Sequence, residues 1–305
     1  MMELAVQTRG DWELVLGTAR WAEDRGLVAL ALPDHYLERG DTPDRPAFDH
    51  LIHLAALARE TTHLELVSLL SPVTFRHPAV YYKMGVTLDE ISGGRFTMGI
   101  GTGWLDEEFE LFGIPYPDRQ TRFELLAESM AYLAAAVAPE ARGFAGKHYQ
   151  LTEFDPHPHP VNLRLLVGGG GQVKTPQLAG AYADEFNIYA CRPHEYVSRM
   201  ELAKTTALEA GRDPKAIFFS TASPAIAARG EADYRRLLEM LAERTKSTPE
   251  RIEEVYAKRG YPHGSGSKPA EMLHALEEAG CQRFYPQMFL GNPADFDIIL
   301  DAYSH

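Results

Sequence analysis

LELVSLLSPVTFRHPAVYYKMGVTLDEISGGRFTMGIGTGW, residues 64–104, contains one complete strand–helix–strand unit. Leu64, Leu66, Val67, Leu69 and Leu70 form an apolar run of strand length, and residues 96–100 form another. Between them, residues 78–91 keep apolar positions at helical spacing, with Pro78 at the start and Gly93-Gly94 at the end. Two strands joined through a helix lie parallel, because the crossover returns the chain to the same end of the sheet.

The same unit recurs on both sides. Upstream, a strand at 4–8 leads to a helix over 12–25 that Gly26 stops, then to a strand at 27–32 closed by Pro33 and a helix over 48–59. Downstream come a long helix over 122–137, a strand at 163–167, a helix over 173–182, and strands at 186–190, 217–222 and 283–288. Gly264-Ser265-Gly266-Ser267 reads as a flexible joint before a helix over 269–279. The rhythm pauses at 143–160, which reads as an insertion with a small hairpin around Gly146. About eight parallel strands with covering helices predict an α/β fold closed as a (β/α)8 TIM barrel, which typically needs about 250 residues or more. An open doubly wound sheet would show a glycine fingerprint after its first strand, but only Arg9-Gly10-Asp11 follows Thr8. No shift in composition marks a boundary, so residues 1–305 read as a single domain.

A hydrophobic fraction of 45% and a charged fraction of 24% fit a globular chain with a sizeable core. The formal net charge of −13 excludes general affinity for nucleic acid or anionic membrane, so an anionic ligand has to be met locally. Cys191 and Cys281 lack C-x-x-C spacing, and no apolar run nears the roughly 20 residues of a membrane helix. With no signal-peptide pattern at the N-terminus, a cytoplasmic protein is expected.

In such a barrel the chemistry sits at the C-terminal ends of the strands. After the second strand, Asp34-His35 can hold a heterocycle and act on a substrate proton, or can cap a turn and lie on the surface. After the third, Arg76 and His77 beside a helix start suit an anion, unless Arg76 pairs with an acid such as Asp89 or Glu90. After the fourth, Gly99, Gly101 and Gly103 clear one face for a flat ligand or for tight barrel packing, with Trp104 beyond them. After the fifth, Gly168, Gly169, Gly170 and Gly171 form a loose turn or, with Lys174 near, a phosphate cradle of backbone N–H groups without net charge. P-loop, H-E-x-x-H, G-x-S-x-G and kinase motifs are missing. His157 and His159, among prolines and without a carboxylate at helical spacing, read as an exposed loop, so no metal is expected.

Ser71-Pro72-Val73-Thr74-Phe75-Arg76-His77-Pro78, Thr87-Leu88-Asp89-Glu90-Ile91-Ser92-Gly93-Gly94-Arg95-Phe96 and Gly99-Ile100-Gly101-Thr102-Gly103-Trp104 resemble the luciferase-like monooxygenase superfamily. Leu166 to Gly171 and Ala183-Asp184-Glu185-Phe186-Asn187 extend the likeness, which is strongest to the branch dependent on the deazaflavin coenzyme F420. The resemblance implies a bacterial-luciferase-like barrel with an insertion segment, a homodimer using the helices near 48–59 and 79–91, and a cofactor at the C-terminal face. It implies that Asp34 and His35 contact cofactor and substrate, and that a non-proline cis peptide near Ser68-Leu69 supports the ring. It further implies that Gly101, Thr102 and Gly103 line the cofactor and that Gly168 to Gly171 bind its phosphate. Sugar-phosphate dehydrogenases of this branch carry a catalytic Glu where this chain has Trp104, whose aromatic ring better suits shaping an apolar pocket.

Three functions follow from this reading. The first is hydride transfer between F420 and a small organic substrate, with His35 and Trp104 as the catalytic pair. The second is an FMN-dependent monooxygenase on the same fold. The third is a flavin- or deazaflavin-binding protein without turnover. The nature of the cofactor separates the first two.

Overall fold

The computed structural model describes residues 1–37, 47–140, 142–189, 192–287 and 294–303. β1 (Glu3–Leu4) and β2 (Val6–Gln7) make one interrupted strand, followed by α1 (Trp12–Asp24), β3 (Ala29–Leu32), α2 (His50–Glu60), β4 (Glu65–Ser68), β5 (Ser71–Pro72), α3 (Pro78–Ser92) and β6 (Phe96–Gly101). Next come α4 (Asp106–Phe112), α5 (Arg119–Ala136), β7 (Arg142–Ala145), β8 (Gln150–Phe154), β9 (Arg164–Gly169), α6 (Lys174–Tyr182), β10 (Glu185–Ile188) and α7 (Pro193–Glu209). The chain continues through β11 (Phe218–Pro224), β12 (Ile226–Ala228), α8 (Glu231–Thr245), α9 (Pro249–Arg259), β13 (His263–Ser265), α10 (Lys268–Glu278), β14 (Arg283–Gln287) and α11 (Ala294–Tyr303). Parallel pairing runs β2–β3–β4–β6–β9–β10–β11–β14, and β14 pairs back with β1 and β2. The eight-stranded barrel is therefore closed, with helices around it. The expected strand ends at Ala190 and Met288, and Cys191, lie outside the described residues.

Local chemistry explains the boundaries. Asp49 caps α2 by accepting from the Leu51 and Ile52 amides, which moves the helix start from the expected 48 to His50. Pro78 opens α3 with His77 accepting from the Ala79 amide, so His77 is spent on the cap. The β7–β8 hairpin is antiparallel, and the Gly146 amide donates to Tyr149, as expected for the insertion. Two elements depart from the sequence reading. Residues 263–265, inside the expected flexible joint, form β13 and pair in parallel with β12. Residues 106–112 form α4, with Asp106, Glu107 and Glu108 in its positive first turn and Gly113 ending it at φ 65°.

The barrel interior is narrow and filled by Ala5, Ala29, Ala31, Val67, Leu69, Leu166, Ala222 and Tyr285, while the larger aliphatic core lies between barrel and helices. At the N-terminal strand ends, buried Arg283 meets Glu3 (Nε to Oε2, 2.7 Å), Glu65 (Nη1 to Oε2, 2.6 Å) and Glu185 (4.0 Å). Burial pushes the Glu185 carboxyl up, against the pull of Arg283 and Arg164. This ionic plug closes the floor and leaves the opposite mouth for ligand. Near the mouth, three glycines have packing reasons. A Cβ on Gly99 would stand 2.0 Å from the Ser68 carbonyl oxygen, and Cβ atoms on Gly101 and Gly168 would press on the Leu70 side chain at 3.2 and 3.1 Å.

Beneath the β3 and β4 ends lies a buried polar network. Arg76 forms an ion pair with Asp34 and reaches Asp49 at 2.7 Å with its other nitrogen. Ser71 Oγ donates to Asp34 at 2.6 Å, and His50 Nδ1 stands 3.0 Å from the other Asp34 oxygen. His50 Nε2 pairs with Ser68 Oγ at 2.7 Å, and Tyr81 donates to the Gly99 carbonyl at 2.8 Å beside it. Asp34 and Ser68 are fully enclosed, and the partners given above tie both into the scaffold under the mouth. Arg76 is likewise paired internally, with Asp34 and Asp49 in place of the acids considered from sequence, and is not an anion receptor.

Burial alone would raise the Asp34 pKa, but His50, Arg76 and Ser71 more than offset it and hold the carboxyl well below the ordinary range. The folded protein therefore binds this proton less tightly than the unfolded chain. The resulting stability is complete above the unfolded value of about 3.8 and is lost as pH falls through the folded value. Asp34→Asn leaves Arg76 buried and charged, so urea unfolding at pH 7 is expected to show a loss of about 3–5 kcal/mol. Asp49→Asn, which keeps the helix cap, should cost less than about 1 kcal/mol. The Asp34→Asn deficit should shrink as pH drops below about 4; equal stability of wild type and Asp34→Asn at neutral pH would contradict this account.

Candidate active site

The parallel register brings the C-terminal strand ends to one face. Leu32 pairs with Ser68, Pro72 with Gly101, Asn187 with Gly168 and Gln287 with Gln7. His35, the Leu69–Leu70 segment, Gly101 to Trp104 and Gly168 to Gly171 therefore share the mouth of the barrel.

His35 is held from one side. Its Nδ1 lies 3.2 and 3.3 Å from the two carboxylate oxygens of Glu108, which also accepts from the Tyr36 amide at 3.0 Å. Glu108 is completely buried, whereas the His35 side chain keeps 16% of its surface exposed. A carboxylate only accepts, so Nδ1–H of His35 donates to Glu108 and Nε2 is the ring nitrogen on the other side. Trp104, 59% exposed, packs edge-on to His35 with ring centroids 5.6 Å apart. Those two expected residues therefore meet at the rim.

Glu108 is the functional candidate that motif reading missed. It comes from α4, which an aromatic cluster clamps over the 33–37 loop. Tyr36 stacks on Phe75 at 4.2 Å, Phe75 contacts Phe109 at 4.9 Å, and Phe109 stacks on Tyr116 at 4.3 Å. Arg122 lies 3.9 Å over the Tyr116 ring. The signal was present: Leu105, Glu108, Phe109 and Phe112 fall at i, i+3, i+4 and i+7, so Glu108 is an acid within an apolar helical stripe. An acid there needs a buried partner.

The peptide between Leu69 and Leu70 is cis, one residue beyond the expected Ser68-Leu69 position. Leu69 is buried, and its carbonyl accepts from Gln7 Nε2 at 2.5 Å; Gln287 in turn donates to Gln7 at 2.6 Å. Gly103 adopts φ +72°, and a Cβ there would meet Pro72 and Phe109 at 3.2 and 3.3 Å. Thr102 and Gly103 are half-buried at the rim, while Gly101 is buried against Leu70.

The glycine run divides in two. Gly168 is packed, since a Cβ there would lie 2.8 Å from the Asn187 carbonyl, and a Cβ on Gly171 would lie 2.4 Å from Thr175 Oγ1. Packing leaves no room for a side chain at these two positions. Among the described residues, a Cβ on Gly169 (φ +138°) would meet nothing within 4 Å, and one on Gly170 only the Tyr189 carbonyl at 4.0 Å. Both therefore border open space just before α6, whose start no side chain caps. That open backbone fits an anionic group approached without side-chain charge. Lys174 instead lies over the Phe123 ring, 5.2 Å from its centroid. His157 and His159 are exposed, on the connection from β8 to β9 and away from this site.

The model of the luciferase-like monooxygenase family matches residues 3–295. An F420-dependent glucose-6-phosphate dehydrogenase of Kineococcus radiotolerans is 31% identical over 163 residues, 52% of this chain and 48% of that protein. A pyrimidine monooxygenase, RutA, of a Caulobacter species is 30% identical over 119 residues, 38% of this chain and 33% of that protein. The matches thus span half or less of these curated relatives. Among solved structures, the monooxygenase RslO1 of Streptomyces bottropensis superposes with a TM-score of 0.80 over 99% of this chain and 98% of its own, at 17% identity, a likeness of fold. With the family model matched across nearly the whole barrel, the chain belongs to the luciferase-like monooxygenase family.

Proposed function

We propose that this protein is an oxidoreductase that transfers a hydride between coenzyme F420 and a small organic substrate at the barrel mouth. The observation that carries the reading is His35, fixed by buried Glu108 through Nδ1 and packed edge-on against Trp104 at the barrel rim. When bound, the deazaflavin supplies a ring carbon that carries the hydride. Gly169, Gly170 and the start of α6 would hold its phosphate, and Leu69, Leu70, Thr102 and Gly103 would line its ring. His35 then takes or returns the proton at the substrate heteroatom, the charge of its protonated ring being balanced by Glu108. Trp104 excludes water from the same side.

An FMN-dependent monooxygenase is the second reading. It is favoured by the likeness to RutA, which stands close to that of the F420-dependent dehydrogenase. In both readings the same backbone cradle and His35–Glu108 pair are used.

Purified protein titrated with F420 and separately with FMN, followed by fluorescence, is expected to bind F420 the more tightly. Gly170→Asp fits the open space but puts a carboxylate where the phosphate is met. It should weaken binding at least about tenfold, or about 1.4 kcal/mol, while Gly170→Ala keeps affinity within a few-fold. Preference for FMN would move the protein to the monooxygenases. Failure to bind either cofactor, or indifference to Gly170→Asp, would remove the cradle from the reading. Once a substrate is in hand, His35→Gln should lower kcat by about 100-fold with cofactor affinity kept, and Glu108→Gln should shift the pH profile of kcat.

The resemblance also carries a homodimer. Ile52 on α2 and Val80 and Met84 on α3 are 67%, 49% and 41% exposed, an apolar set on adjacent helices. Light scattering at micromolar concentration is expected to give twice the chain mass, and Ile52→Lys combined with Met84→Lys should give the monomer. A wild-type monomer would refute the assignment.

A further inference from the structure

Asp155-Pro156-His157-Pro158-His159-Pro160 joins β8 to β9 at the end of β9 opposite the glycine run. The chain bends at His157-Pro158, a cis peptide, and brings the side chains on either side of each proline together. Three donors on alternate residues are thereby grouped. In the structure, Asp155 Oδ2 lies 3.2 Å from His157 Nε2 and Asp155 Oδ1 lies 3.1 Å from His159 Nε2. One ligand atom from each residue lies within 4.8 Å of the others, and the two imidazole centroids are 4.6 Å apart.

The segment that carries them is anchored to α3. Lys83 donates to the His157 carbonyl and Tyr82 to the Pro158 carbonyl at 3.4 Å. Asp89 accepts from the Val161 and Asn162 amides at 2.6 and 3.1 Å. The backbone is thus held in the middle of the cluster and just beyond its C-terminal end, while the imidazoles remain 68% and 44% exposed. Neither histidine takes part in the fold's core or in the barrel mouth.

We propose that Asp155, His157 and His159 bind one divalent transition-metal ion of the zinc type. Two imidazole nitrogens and one carboxylate oxygen suit zinc or its neighbours, whereas magnesium and calcium call for oxygen-only sets. Zinc–ligand bonds of about 2.0–2.1 Å give a tetrahedral edge of about 3.3 Å. The Asp155–imidazole separations of 3.1 and 3.2 Å are already near that edge. The remaining coordination position faces solvent and takes water. The ion would lock the β8–β9 connection against α3, a structural role separate from the cofactor site.

The test uses tag-free full-length protein, stripped with EDTA and gel-filtered. Calorimetric titration with Zn²⁺, repeated in competition with a chromophoric chelator, is expected to give one ion per chain with micromolar or tighter affinity. His157→Gln and His159→Gln should each weaken it at least tenfold. His274→Gln, at an exposed histidine elsewhere, should leave it unchanged. Co²⁺ should give a visible absorption of low-coordinate intensity that the double variant lacks. Zn²⁺ should also raise the melting temperature of wild type and not of His157→Gln/His159→Gln. Stoichiometric Zn²⁺ binding that survives in the double variant, including binding at His35 and Glu108, would overturn the assignment. So would no saturable binding at about 100 μM Zn²⁺.

Discussion

A guanidinium buried in a protein has to find negative charge, and Arg76 finds it on Asp34 and Asp49. Much of the barrel mouth depends on that requirement. Asp34 follows β3, Asp49 caps α2, and Arg76 lies between β5 and α3, so one side chain sets three segments relative to each other. His50 and Ser68 extend the tie to β4, and Tyr81 extends it to the backbone of β6. His35 is presented to the mouth because the residue before it is anchored below. The enclosed acid supplies position, and the imidazole beside it keeps part of its surface open.

The two ends of the barrel use charge differently. At the floor, Arg283 is saturated by Glu3, Glu65 and Glu185, and the cluster is packed shut. At the mouth, Glu108 pairs with a histidine that still reaches solvent, and Gly169 and Gly170 border open space. A satisfied cluster favours stability. A partly open one leaves capacity for a ligand. This division matches the general separation of stabilising and reactive faces in parallel barrels.

Much of the fold could be read from short-range signals. Pro78 and Gly93 bracket α3, Gly26 follows α1, and the 143–160 pause corresponds to a hairpin. These features are decided within a few residues, where propensity and capping act. Partner choice was not readable in the same way. Arg76 had several acids within reach in sequence, and only the tertiary fold selects Asp34 and Asp49 over Asp89, which instead caps the approach to β9. Glu108 could be seen as an acid in an apolar stripe, but its partner 73 positions away could not. Asp155 lies two and four residues from its histidines on a bent, non-helical segment, so helical spacing does not reveal the group. The four glycines look alike in sequence, and their separation into packed and open pairs depends on the Asn187 carbonyl and the Thr175 hydroxyl of neighbouring elements.

Leu70 projects into a slot bordered by Gly101 and Gly168, with Gly99 close by against the Ser68 carbonyl. Three strands thus take their lateral spacing from one aliphatic side chain and from backbone, not from the residues that ring the opening. The diameter of the mouth is in this sense gauged from below. Rim positions such as 35 and 104 can then change in character while the aperture keeps its dimensions. A scaffold built this way separates how wide the entrance is from what it recognises, and so can accept new substrates without being rebuilt.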